Sequence, residues 1–339
     1  MLSAELRDRL RCPRCRGPLD GAPPLPGASG VHCANPDCPC HAAGFPVVDD
    51  QPVLIDFERS VVTREGFLAR QGRSVFERDD SRTGLRMRVL ELTLGDNLQA
   101  RAQATRFAAE AKRLRERPRI LVVGGGAIGG GTDALYADPG LELVGTDIYA
   151  SRYTSLVADG HALPFADATF EGVWVQAVLE HVLEPGVVAG EIARVLVAGG
   201  LVYADTPFMQ QVHEGAYDFT RFTKSGHRWL FRGFEEIASG AVGGPGASLI
   251  WAIRYFVRAL TGSGKLATAV SLAFFWLRFL DRLARAPESE DGACGLYFLG
   301  RKSGAAMGPK DIVAYYEQGR VREPRAEPSQ PRPGVAAPA

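Results

Sequence analysis

The apolar run Ile120-Leu121-Val122-Val123 ends abruptly at Gly124-Gly125-Gly126-Ala127-Ile128-Gly129, and this junction restricts the fold more than any other stretch of the chain. The aliphatic run reads as a strand. Glycines follow it because the chain must turn sharply and let its backbone approach a ligand closely. The helix that such a turn opens presents unpaired N–H groups. Similar strand-like runs recur at Leu141-Glu142-Leu143-Val144-Gly145, at 169–177, at 201–204 and at 295–300, with helical patterns such as 185–196 between them. Strands separated by helices predict βαβ units, a doubly wound and mostly parallel α/β sheet, and ligands beyond the C-terminal strand ends.

The second strand ends at Asp147, 21 residues after Gly126. A carboxylate there accepts hydrogen bonds from both hydroxyls of a ribose, or else caps the next helix. The glycine loop and Asp147 together fit S-adenosylmethionine (SAM) and nicotinamide dinucleotides alike. The next segments separate the two. Val157-Ala158-Asp159-Gly160-His161-Ala162-Leu163-Pro164-Phe165-Ala166-Asp167 precedes the strand Phe170-Glu171-Gly172-Val173-Trp174-Val175. Gln176-Ala177-Val178-Leu179-Glu180-His181-Val182 follows, and then Glu191-Ile192-Ala193-Arg194-Val195-Leu196 before Gly199-Gly200.

This ordered series, over residues 118–207, resembles the class I SAM-dependent methyltransferases, especially the branch that includes quinone-pathway enzymes. The resemblance implies a Rossmann-like methyltransferase domain with a seven-stranded sheet. It implies that Gly124, Gly126 and Gly129 line the methionine and ribose side of SAM, and that Asp147 holds the ribose. Asp159 would accept from the adenine amino group, with Gly160 and His161 beside the ring. Gln176 and Ala177 would face the sulfonium. The sequence departs from the family two positions before the first glycine, where Val122 stands in place of an acidic residue.

Five of the six cysteines lie within residues 12–40. Cys12-Pro13-Arg14-Cys15-Arg16-Gly17 is a zinc-knuckle sequence whose glycine aims backbone N–H groups at the sulfurs. Cys33 and Cys38 complete a tetrahedral structural zinc site with Cys12 and Cys15; Cys40, His32 and His41 are the nearby competitors. With the apolar runs 45–48 and 52–55, residues 1–57 resemble the small zinc-ribbon domains that partner or precede many methyltransferases. Residues 58–117 read as a helical linker, with Leu98, Ala102, Thr105, Ala109 and Leu114 at roughly helical spacing. Residues 118–303 form the methyltransferase domain, and the proline-rich 304–339 is expected to be a disordered tail.

The loop after the fifth strand carries His213 and Asp218, the candidates for acid/base work together with His181. Asp218 and Arg221, three apart, also suit a simple ion pair. Within 246–285, the 248–260 stretch is apolar except for Arg254 and Arg258. The 266–283 stretch holds Phe274, Phe275, Trp276, Leu277 and Phe279, interrupted by Arg278 and Arg282. Both are too short to span a bilayer. They suit an interfacial membrane helix or a buried hairpin or subunit contact. The family's strand order makes them an apolar helical insertion beside the cofactor, one that would cap the site and receive a lipid-like or lipid-linked acceptor.

With 39 basic and 39 acidic residues the chain is formally neutral, so no nucleic-acid partner is expected. The charged first eleven residues lack a signal-peptide core. The expected location is cytoplasmic, with peripheral membrane contact through 246–285. Three activities compete: SAM-dependent methyl transfer to a small-molecule or lipid-like acceptor, a non-catalytic SAM-binding activator, which Val122 favours, and a nicotinamide-dependent oxidoreductase, which the 159–165 segment disfavours.

Overall fold

The computed structural model of the chain describes residues 2–20, 30–75 and 97–319. Its strands are β1 (Leu19–Asp20), β2 (His32–Cys33), β3 (Val47–Val48), β4 (Gln51–Leu54), β5 (Arg119–Val123), β6 (Glu142–Asp147), β7 (Leu156–Ala158), β8 (Phe170–Gln176), β9 (Leu196–Pro207), β10 (Phe234–Gly243) and β11 (Gly295–Lys302). β1 and β2 make a small antiparallel ladder; the other nine form one sheet in the order β10-β11-β9-β8-β5-β6-β7-β4-β3. Neighbours from β9 through to β4 run parallel, and β11 enters antiparallel between β9 and β10.

The doubly wound α/β architecture follows from β5 itself. Ile120 and Val122 face one core with Phe107 and Trp174, while Leu121 and Val123 face the other with Val188 and Ile192. Side chains alternate faces along a strand, and helices cover both faces, so every position of the run must be apolar. On the first face Trp174 stacks on Tyr203 at 3.8 Å, and Tyr203 on Tyr297 at 6.2 Å, crossing three strands.

Several expectations are corrected. The sheet has nine strands, not seven, because β4 pairs in parallel with β7 and carries β3 with it. Asp49 and Asp50, both at positive φ, make the two-residue turn between β3 and β4. The N-terminal unit is therefore built into the sheet. Backbone bonds from Arg11 N–H to Pro164 and from Ala166 N–H to Arg9 reinforce this, as does the Arg16–Glu191 ion pair at 2.9 Å. In the Leu98–Lys112 helix the buried face is Ala100, Ala104, Phe107 and Ala111, while Leu98 is exposed. Phe107 sets this face, because its ring occupies the space a side chain would need at Gly172. Part of the expected tail is ordered: the Pro309–Gln318 helix packs with Tyr315 hydroxyl against Ser239 and Tyr316 hydroxyl against Asp291. Residues 320–339 lie outside the described residues, as do 76–96 of the linker.

The insertion folds as the helices Pro245–Thr261, Gly264–Ala273 and Leu277–Leu280, seated by Asp281, which accepts from Gly246 N–H at 2.6 Å. Phe256, Leu260 and Leu283 are each at least 66% exposed. Among the described residues no helix is long and apolar enough to cross a membrane.

Candidate active site

A cavity of about 420 Å³ opens beyond the C-terminal ends of β5, β6, β7 and β8. Gly124, at φ 73°, leads the chain out of β5 under Val178; a Cβ there would stand 2.2 Å from that side chain. Gly129 makes room for the Gln176 amide in the same way. Gly126 does not line the cavity, contrary to expectation. Tyr149 lies across it, and a Cβ at Gly126 would fall 2.3 Å from the ring. Its contribution is backbone: Gly126 N–H donates to Asp147 Oδ2 at 2.9 Å, while Ile148 N–H donates to Oδ1 at 2.7 Å. The carboxylate that ends β6 is thereby oriented at the cavity wall.

Asp159, Gly160 and His161 line the same cavity after β7. Asp159 accepts from His161 Nδ1 and from Ser60 hydroxyl, both at 2.6 Å. Burial disfavours its ionised form, yet these hydrogen bonds outweigh burial and hold it below the usual carboxylate range. Ser60 belongs to the stretch expected to be a mere linker. Val61, Val62, Phe67, Arg70 and Val75 from that stretch close one side of the cavity. Sequence reasoning missed them because nothing local marks a loop that a distant strand pairing carries over the site. Val122 packs in the core with Phe107 and Trp174, 6% exposed.

At the end of β8, Gln176 and Ala177 line this cavity and also a second one, of about 220 Å³. Ala177 sits at φ 52°, a left-handed conformation that a non-glycine residue adopts only where its surroundings impose it. The second cavity is walled by Asn97, Glu180, Asp205, Gln210, His213, Trp251 and Cys294, among others. Asp205 is 5% exposed and accepts from Tyr203 hydroxyl and Asn97 Nδ2 at 3.0 Å. Burial pushes its carboxyl up to about 6 despite these donors. Glu180 is completely buried, and burial, aided by Asp205, pushes it up to about 8. Neither acid was singled out from the sequence: within a motif each reads as a helix or strand neighbour, and only packing removes the water.

The predicted acid/base residues separate. The His181 and His213 rings meet edge to face at 5.0 Å on the passage between the cavities. Burial pulls the His181 imidazole below its ordinary range. Asp218 corrects the expectation. Burial opposes its ionisation, but Arg221 grips both of its oxygens and holds it down to about 2. A carboxylate so strongly acidic takes no proton near neutral pH. It orients the loop instead, accepting from His213 N–H at 2.9 Å.

The cysteines converge as the spacing predicts. Cys12, Cys15, Cys33 and Cys38 place their sulfurs within 4.8 Å of one another, with 3.9 Å between Cys12 and Cys38 and 3.4 Å between Cys15 and Cys33. Tetrahedral zinc–sulfur bonds of ~2.3 Å need sulfurs about 3.8 Å apart, which this set fits. Gly17 N–H points at Cys15 Sγ at 3.4 Å. His32 and His41 turn their Nδ1 atoms to backbone carbonyls, which leaves the sulfurs as the converging set. Burial pushes the Cys12 thiol up to about 12, so its thiolate forms there only with a cation beside it.

Residues 121–204, from β5 into β9, match a family model described as a methyltransferase domain. Among solved structures the chain is similar to a protein assigned as a sarcosine dimethylglycine methyltransferase from Galdieria sulphuraria, at 15% identity over 61% of this chain and 86% of that one, TM-score 0.41. It is similar to phosphoethanolamine N-methyltransferase 2 of Haemonchus contortus, in complex with SAM, at 17% identity over 74% of this chain and 62% of that one, TM-score 0.41. A third is the 1,6-didemethyltoxoflavin-N1-methyltransferase of Burkholderia thailandensis, at 16% identity over 60% and 78%, TM-score 0.35. No curated protein matches the chain by sequence. The matched residues thus form the centre of the mostly parallel sheet, from β5 through β8 into β9.

Proposed function

We propose that this enzyme transfers the methyl group of SAM to a small-molecule acceptor held in the second cavity. The observation that carries the reading is the junction at Gln176 and Ala177. There a cavity ringed by Gly124, Gly129, Asp147 and Asp159 meets one walled by buried acids and an apolar helix. SAM supplies an electrophilic methyl group on a sulfonium. Asp147 would take the ribose hydroxyls, Asp159 with Gly160 and His161 the adenine, and Gly124 and Gly129 the methionine end. Ala177 would bring backbone close to the sulfonium, and Gln176, held by Gly130 carbonyl at 3.1 Å, would wall the passage.

On the acceptor side Asp205 is the base. Its carboxyl, raised to about 6, is largely ionised near pH 7 yet close enough to take a proton as the new bond forms. SAM, when bound, would give its methyl group to the acceptor and become S-adenosylhomocysteine, and Asp205 would take the proton that the acceptor's nucleophile gives up. His181 and His213 orient the acceptor at the passage.

The insertion supports an acceptor with an apolar portion. Trp251 and Ala247 of the Pro245–Thr261 helix wall the second cavity, and the outer faces of these helices expose Phe256, Leu260 and Trp276 beside Arg254 and Arg278. A lipid-like acceptor arriving along a membrane surface accounts for both faces. The four cysteines would hold one structural zinc that pins the N-terminal unit and, through it, the loop bearing Ser60. Val122 favours a second reading, a SAM-binding activator without turnover. Incubating extract metabolites with methyl-labelled SAM decides: label appears in an acceptor with the native enzyme and falls at least tenfold with Asp205→Asn, while S-adenosylhomocysteine binding is kept. Binding without label transfer supports the activator.

A further inference from the structure

Three side chains at the passage, Glu180, His181 and His213, face one another. Glu180 is fully buried, and among the described residues neither carboxylate oxygen has a hydrogen-bond partner. His181 turns Nδ1 to Tyr217 carbonyl at 2.8 Å, which fixes the proton there and leaves Nε2 as a lone pair 3.6 Å from Glu180 Oε1. His213 has two acceptors at Nδ1, Asp218 Oδ2 at 3.3 Å and Gln211 carbonyl at 3.4 Å, so its Nε2 is likewise left as a lone pair. One ligand atom from each residue lies within 4.8 Å of the others. Glu214 Oε2 stands 4.0 Å from His181 Nε2 as a fourth donor.

We propose that Glu180, His181 and His213 bind a divalent transition-metal ion at the wall between the two cavities, in a site separate from the four cysteines. Two imidazoles and one carboxylate on one side of an open space are a familiar donor set for such ions. An ion bonded at ~2.1 Å to each holds its ligands about 3–4 Å apart, so the site closes by a small rotation of the exposed His213. The second layer is in place: Tyr217 carbonyl and Asp218 orient the imidazoles as metal-bound histidines require. An ion also supplies the positive charge that a buried carboxylate without partners lacks. On the methyl-transfer reading, on which this role rests, the ion would face the second cavity and hold an acceptor oxygen beside the sulfonium.

The test strips the protein of metal, reloads it with Zn²⁺ or Co²⁺, and counts ions per chain by elemental analysis. Wild type is expected to hold one ion more than His213→Ala and one more than Glu180→Gln. With Co²⁺ the thiolate charge-transfer absorption of the cysteine site should be unchanged in His213→Ala, and the weaker visible bands of nitrogen and oxygen ligation should vanish. His213 is exposed, so its variant folds even where the buried Glu180→Gln does not. Equal ion counts in wild type and His213→Ala overturn the proposal and leave a proton or water between the three groups. Titration with SAM is read separately: absence of SAM binding sinks the methyl-transfer reading, while the ion count still decides the site.

Discussion

Asp147→Asn separates two roles for one carboxylate. Its two oxygens accept from Gly126 N–H at 2.9 Å and Ile148 N–H at 2.7 Å, so the side chain is both a cap for the loop and an oriented acceptor for a ligand. In the asparagine an NH2 group faces one of those backbone donors whichever way the amide turns. That mismatch costs about 1–3 kcal/mol, and it acts in the empty and the loaded protein alike. It therefore lowers stability without weakening the cofactor. A ribose hydroxyl, by contrast, loses a charge-assisted hydrogen bond worth about 1.5–3 kcal/mol, which appears only on binding. At 1.4 kcal/mol per tenfold, the dissociation constant for S-adenosylhomocysteine rises roughly 10- to 150-fold. Calorimetric titration reads the second effect and urea unfolding reads the first. A variant that unfolds earlier but binds within twofold of wild type refutes the ribose role and leaves Asp147 as a loop cap.

Four further outcomes are expected. Gly126→Ala drives a methyl group into the Tyr149 ring and should weaken S-adenosylhomocysteine binding at least tenfold, with Tyr149→Ala restoring much of it; an unperturbed titration for the single variant counts against this packing. His227 is fully buried, and burial alone drops its imidazole to about 3, against 6.5 when unfolded, so its contribution is whole above pH 6.5 and is lost as pH falls toward 3. The ceiling is ~5 kcal/mol at 1.36 kcal/mol per unit. Urea midpoints of wild type should fall more steeply than those of His227→Phe over that window, and parallel curves would exclude the effect. Chelation or Cys12→Ser should lower the melting temperature and weaken cofactor binding together, since the cysteine unit leads through β4 to Ser60 and Asp159; a loss of stability with cofactor binding intact would uncouple them. In flotation assays the protein should rise with anionic vesicles, and Phe256→Glu with Leu260→Glu should abolish this. Recovery in the soluble fraction with every vesicle removes the membrane role.

The order β5, glycine loop, β6 ending at Asp147, then β8 and its helix could be read along the chain, because each depends on local constraints. An apolar run of strand length, a turn that tolerates no side chain and a helix start announce themselves within a few residues. The cysteine set was legible for the same reason, since two close pairs need little more than a turn to converge. The rest depended on neighbours far away in sequence. β4 joins β7 across a hundred residues, so the stretch read as a linker becomes a wall of the first cavity. Phe107 rather than Leu98 faces the core because Gly172 leaves room for it. Asp218 belongs to Arg221 because the loop folds both inward. Glu180 and Asp205 look like ordinary acids in the sequence, and their shifted protonation comes only from lost water. Desolvation, like the meeting of Glu180 and His181 with His213, is set by the whole packed surroundings rather than by residue type. The glycine loop, Asp147 and the cysteine set were therefore determined by local pattern, whereas the burial of Glu180 and Asp205 and the grouping of the histidines were decided by tertiary packing.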